Sequence, residues 1–324
     1  MGTSRQVVAT VGVLLASVLL TGGAQADVKV VATIKPVHAL VAQVMGATGT
    51  PDLLVGGAAS PHTFIIKPSH MKTLSGADVV FRVSEAVEPF TIKVAKVLPK
   101  SVLIVTLQQA PGVVTLPQRH GGPFEPDEHD HDAHSAGGGH GAHHDHDHDE
   151  DGVDGHVWLD PANAKAMLDQ IAVVLGSKTP VHAAAYLANA ARAKTRIDAL
   201  AADLTRELAA VRGQPYVVFH DGYQYFEKRF GLNAVGSITV NPEIPPSGKR
   251  LSDLRAKIVR LGAKCVFGEP NFEGKVIATV IEGTGARTGS LDPEGASVPA
   301  GPDLYETLMR KLAAGVTECL QRGK

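Results

Sequence analysis

Residues 180–212 read PVHAAAYLANAARAKTRIDALAADLTRELAAVR. After Pro180 nothing in this stretch breaks a helix, and Ile197, Leu200, Leu204, Leu208 and Val211 recur at steps of three and four. That spacing makes one apolar stripe on an amphipathic helix. Some thirty residues at 1.5 Å each form a rod of about 45 Å, long for a helix inside one domain and suited to a rigid spine between two.

Both flanks support that division. Before it, short apolar runs (Val28–Ile34, Asp52–Val55, Asp78–Val83, Val102–Thr106) alternate with helical stretches at His38–Val44, Met71–Leu74 and Ala162–Leu175, the last opened by Pro161 and capped by Asp160. After it come Tyr216–Phe219, Ala234–Val240, a helix Leu251–Leu261, Cys265–Gly268 and a final helix Asp303–Leu320. Alternation of this kind predicts βα units and mostly parallel sheets. The expected fold is α/β: two Rossmann-like lobes, residues 27–178 and 213–324, joined by a linker helix over 179–212.

The ends and the charge add constraints. Residues 1–26 carry Arg5, an apolar run Val7–Leu20 and small residues ending Ala24-Gln25-Ala26, the pattern of a cleaved secretory leader. The run is short for a membrane span, so a soluble exported chain without stable membrane insertion is expected. Of 33 acidic residues ten fall within residues 120–151, which hold no Lys or Arg. The remainder is only mildly basic, which argues against nucleic-acid binding. The two cysteines, Cys265 and Cys319, most simply pair in an oxidising compartment. A bridge there would staple the last helix to its lobe.

Residues 119–152 are a different material. Nine of the fifteen histidines lie here: His120, His129, His131, His134, His140, His143, His144, His146 and His148, set among Asp, Glu, Gly and Ala. With nothing to bury, such a tract is expected to be disordered. It reads as an accessory zinc collector, with an inert solubilising linker as the bland alternative.

Open α/β sheets bind ligands beyond the carboxyl ends of their strands. His62 (in Ser60-Pro61-His62-Thr63-Phe64), His156 (in His156-Val157-Trp158-Leu159-Asp160-Pro161) and His220 (in Phe219-His220-Asp221-Gly222-Tyr223) all stand at such places. Asp292, in Gly289-Ser290-Leu291-Asp292-Pro293, does as well. With two candidates from each lobe, all four are able to converge on the inter-lobe cleft. Three imidazoles and a carboxylate suit four-coordinate Zn²⁺, and nitrogen-rich ligation disfavours Mg²⁺, Ca²⁺ and Mn²⁺. His38 reads as a neighbour of this site, and His70 and His182 as structural. A zinc hydrolase would need a general base such as Glu227 or Glu269, but the chain has no H-E-x-x-H motif. The expected protein is not an enzyme.

The set SPHTF, HVWLDP, FHDGYQYF, NPEIPP, FGEPNF and SLDP resembles the cluster A-I (cluster 9) metal-binding solute-binding proteins of zinc ABC importers. The resemblance covers essentially the whole mature chain. It implies zinc ligands at His62, His156 and His220, with Asp292 or water in fourth place. Manganese-binding relatives carry glutamate where this chain has His220. The implied role is a monomeric periplasmic carrier that delivers Zn²⁺ to an inner-membrane ABC permease with its ATPase. The alternatives are a periplasmic zinc buffer without an importer, or a manganese-type carrier. Local motion of the loops Asn241–Gly248 and Gly283–Gly289 is expected to open and close the site.

Overall fold

A computed structural model of the chain describes residues 2, 28–119, 124, 152–239, 246–270 and 274–321. The expected leader (Gly2 apart), the eight tract histidines His129–His148 and residues 240–245 lie outside the described residues.

Two parallel sheets share one strand order. In the first, Val30–Ala32 (β1), Asp52–Leu53 (β2), Val79–Arg82 (β3) and Leu103–Thr106 (β4) run β2-β1-β3-β4. In the second, Pro215–His220 (β5), Asn233–Thr239 (β6), Cys265–Gly268 (β7) and Arg287–Ser290 (β8) run β6-β5-β7-β8. Each order reverses once, between β1 and β3 and between β5 and β7, which places a crevice at the carboxyl edge of each sheet. The interior strands are continuously apolar because helices cover both faces: all of β1 and all of β7 are buried.

The first lobe carries helices Lys35–Met45 (α1), Pro68–Ser75 (α2), Phe90–Val97 (α3) and Pro161–Lys178 (α4). Asp160 caps α4 by accepting from Ala162 N at 2.8 Å, and Pro161 fills its first turn. The long helix follows as Ala183–Leu208 (α5), then Gln224–Phe230 (α6), Gly248–Leu261 (α7), Gly274–Ile281 (α8) and Leu304–Gln321 (α9). The pattern reading missed α3, α6 and α8, each of eight residues or fewer, because two turns give little periodicity to detect.

At 26 residues, α5 spans about 39 Å. It is shorter than the sequence suggested because Pro180–His182 and Ala209–Val211 tighten into 3-10 turns at its ends. Its stripe Tyr186, Ala190, Ala193, Ile197, Leu200, Leu204 and Leu208 is buried against α1, α4 and α9. One hydrophobic cluster runs from Val30 through α5 to Leu320, so the lobes share a core. The segment after β8 reinforces this. Buried Lys35 donates to the carbonyls of Gly295, Ala296 and Val298 at 3.0, 2.8 and 3.0 Å, and Trp158 Nε1 donates to Pro293 O at 2.9 Å. The disulfide Cys265–Cys319 ties β7 to α9. Among the described residues no helix is long and apolar enough to cross a membrane.

Candidate metal centre

Each of the three histidines arrives by a different local device. His62 sits in a 3-10 turn, Pro61–Thr63, after β2, where Ser60 Oγ accepts its backbone N–H at 3.3 Å. His156 opens a 3-10 turn before α4 and is pinned by Asp154, whose Oδ1 accepts both its backbone N–H (2.9 Å) and its Nδ1–H (2.8 Å). His220 is the last residue of β5, in register with Thr239 of β6.

Their ligand nitrogens lie within 4.8 Å of one another. The three ring centroids are 5.1–5.5 Å apart, and the Nε2 atoms of His156 and His220 are separated by 3.2 Å. Two imidazole nitrogens on one tetrahedral Zn²⁺, each about 2.05 Å from the metal, stand about 3.3 Å apart. The pair is therefore spaced for a shared ion.

Carboxylates set the tautomers. His220 Nδ1–H donates to Glu269 Oε1 at 2.6 Å, and Tyr223 O–H donates to the same oxygen at 2.9 Å. Glu269 stands one residue beyond β7, the neighbour of β5, so the two side chains meet across adjacent strand ends. With Nδ1 of His156 and His220 committed, each keeps an Nε2 lone pair for a metal. His62 Nε2 is itself buried without a hydrogen-bond partner. A β-carbon built on Gly222 would lie 2.3 Å from His220 Nε2 and 3.0 Å from His156 Nε2, so the point these nitrogens face stays open only because residue 222 has no side chain.

Burial and neighbouring charges move two of the rings in opposite directions. Burial, then His156 and His220, hold His62 well below the usual imidazole range, so it keeps its lone pair at neutral pH. Burial also presses His220 down, but Glu269 outweighs it and the net shift is upward. Beyond the rings, Arg119 donates from Nε to both carboxylate oxygens of Asp221 (2.9 and 3.0 Å) and from Nη1 to Glu227 Oε2 at 2.6 Å. Burial keeps the Glu227 carboxyl up at about 7 even with Arg119 beside it.

Two further residues singled out by sequence make contacts of their own. Asp292 is not in the nitrogen cluster; its carboxylate accepts from Ala296 N (3.0 Å), Ser297 N (3.1 Å) and Ser297 Oγ (3.2 Å). His38, read from sequence as a neighbour of the site and not as a ligand, turns its Nε2 to Pro51 O at 3.0 Å and is not one of the clustered nitrogens. The Gly283–Gly289 stretch is the α8–β8 connection and the start of β8. Its first part, residues 283–286, lies at the amino edge of the sheet, opposite the carboxyl edge that carries His220. Asp154, Arg119 and Tyr223 were not picked out by sequence, and Glu269 only as a general base. The strand-end rule that found His220 also points to Glu269, and Asp154-Gly155-His156 is a short carboxylate–imidazole spacing.

Fold and site together describe a two-lobed α/β protein with an imidazole cluster at the lobe junction. Residues 30–319 match the family described as zinc-uptake complex component A, periplasmic (ZnuA), and the chain belongs to that family. The high-affinity zinc uptake system protein ZnuA of Brucella suis biovar 1 is 47% identical over 306 residues, covering 90% of this chain and 92% of its own. The protein of the same name from Paracoccus denitrificans is 40% identical over 310 residues, covering 92% and 93%. Among solved structures, the SBP FpvC of Pseudomonas aeruginosa in complex with Mn²⁺ superposes with a TM-score of 0.75 at 20% identity, covering 92% of this chain and 100% of its own.

Proposed function

We propose that this chain is a periplasmic zinc carrier that captures Zn²⁺ on His62, His156 and His220 and passes it to an inner-membrane ABC permease with its ATPase. The observation that carries the assignment is the cluster of three buried-edge imidazole nitrogens with two tautomers fixed by carboxylates. Three neutral imidazoles select Zn²⁺ over oxygen-seeking Mn²⁺, Mg²⁺ and Ca²⁺. Asp292 or water completes the coordination, and the Asp292 carboxylate is held in its loop by Ala296 N and Ser297 N, as ligating carboxylates commonly are. The family membership and the names of its relatives support zinc as cargo and the periplasm as site of action, reached through the leader 1–26.

Binding, not catalysis, is the role this geometry suits. Glu269 is committed to His220 and Tyr223, and Glu227 to Arg119, which leaves neither to serve as a general base. The shared core and the Lys35 contacts favour local rearrangement over lobe opening for release. A partner is needed to drive it, since only differential affinity shifts such an equilibrium.

The test is zinc titration calorimetry on the mature chain, on a chain lacking residues 120–151, and on the latter with His220→Ala. One tight site that survives the deletion and is lost with His220→Ala is the expected result. If the deletion removes all tight binding, the tract is the zinc store and the chain is a buffer.

A further inference from the structure

The base of the histidine tract is fastened to α6, on the far side of the cleft. Gln118 N donates to Gly152 O at 2.6 Å and Asp154 N to Leu116 O at 3.0 Å, with Pro117 and Val153 bridged antiparallel. This small ladder carries Asp154 and, two residues on, His156. It meets α6 and its lead-in at three points. Tyr225 O–H donates to Asp154 O at 2.7 Å while its oxygen accepts from Leu116 N at 2.9 Å. Gln224 Nε2 donates to Pro117 O at 3.0 Å. Arg119 grips Asp221 and Glu227, whose side chains are 1% and 6% exposed.

Arg119 is the ionic member of this set, and its position is particular. Asp221 follows His220 directly, and Gly222 must present its bare α-carbon to the nitrogens. One face of the guanidinium plane is also covered, with the Phe124 ring centroid 4.0 Å from its Cζ. We infer that Arg119 is a positioning residue: by bridging Asp221 and Glu227 from the segment paired with the one that leads to His156, it yokes His156 and His220 into one preformed pair. His62 stands on a separate element, the 3-10 turn after β2. A planar fork satisfies two carboxylates at once; a lysine ammonium reaches one as a point charge.

The inference rests on the zinc site proposed above. The experiment is zinc dissociation measured by chelator competition, together with visible absorption of the Co²⁺-loaded chain, on full-length mature protein. Arg119→Met is expected to speed zinc dissociation about tenfold, the scale of outer-sphere losses at metal sites, and to alter the Co²⁺ ligand-field bands. Arg119→Lys should recover only part of the loss. Glu227→Gln should be non-additive with Arg119→Met, because both act through one bridge. Arg196→Ala, which breaks the distant Arg196–Glu306 pair, is the control and should leave both readouts unchanged. If Arg119→Met lowers the melting temperature but leaves dissociation and the Co²⁺ bands as in the parent, Arg119 is structural only and the inference is wrong. If Arg119→Met does not fold, Arg119→Lys and Glu227→Gln decide on the same readouts. Should His220→Ala leave zinc binding intact, the site itself fails; should it abolish binding while the Arg119 variants are silent, only the yoke fails.

Discussion

Glu269 Oε1 receives two hydrogen bonds, from His220 Nδ1 at 2.6 Å and from the Tyr223 hydroxyl at 2.9 Å. It thereby fixes the imidazole in the tautomer that offers Nε2 to a metal and raises the ring's basicity toward protons and cations alike. A better zinc ligand made this way is also a better proton acceptor, so affinity and pH sensitivity are coupled.

Glu269→Gln is expected to weaken zinc binding about tenfold at pH 7.5. The sign with pH follows from the upward shift of His220, which Glu269 sustains. In the parent, protons displace zinc as pH falls through the upper imidazole range; in Glu269→Gln the competition moves to lower pH, so the gap between the two narrows by pH 6. Calorimetric titrations at pH 7.5, 6.5 and 6.0 measure it. A gap that stays constant with pH would sink the coupling.

Gly222→Ala tests the open point directly. The added methyl would stand 2.3 Å from His220 Nε2, so the tight site is expected to vanish. The backbone there does not need a glycine conformation (Gly222 has no positive φ), but the methyl overlaps rings already buried without metal, so the metal-free melting temperature is also expected to fall, and circular dichroism checks that the chain still folds. Retained affinity would mean that the ion binds on another side of the rings.

Glu88 links stability to pH independently of the metal. Its Oε2 accepts from Val83 N and Ser84 N at 2.7 and 3.0 Å, but burial holds the carboxyl up at about 7. A raised folded-state value means that its stabilisation is complete below the ordinary value near 4.5 and lost as pH rises through 7. The loss is on the order of 3 kcal/mol. Denaturant unfolding of chelator-treated protein at pH 5 and pH 8 should show this fall, and Glu88→Gln should flatten it.

The disulfide closes a 54-residue separation. Cys265→Ser with Cys319→Ser is expected to lower unfolding free energy by about 4 kcal/mol on the chain-entropy account, read from denaturant midpoints. Because β7 also carries Glu269 at its exit, zinc affinity should fall modestly in the same variant.

Much of this was readable from residues. The α5 stripe, the strand runs and the strand-end positions of His62, His156 and His220 all follow from local periodicity and topology. What escaped was what tertiary packing alone creates. Glu269 looks like an ordinary loop carboxylate until adjacent strand ends bring it to His220, and Arg119 borders an acidic tract without signalling that it reaches Asp221 and Glu227. Asp292 satisfied the strand-end rule as His220 did, and the fold-back of residues 296 and 297 onto its carboxylate is a turn the local pattern does not reveal.

The common strand order of the two sheets means that one architectural unit occurs twice, and the carboxyl end of its inner strand is put to different use in each copy. In the second copy β5 ends on His220. In the first, α1 opens three residues beyond β1 with Lys35, which grips the carbonyls of Gly295, Ala296 and Val298. The same edge of the unit thus serves as cargo berth in one half and as mooring for the opposite half in the other. Damage to the berth should register as lost occupancy, and damage to the mooring as lost alignment between halves that are each still intact.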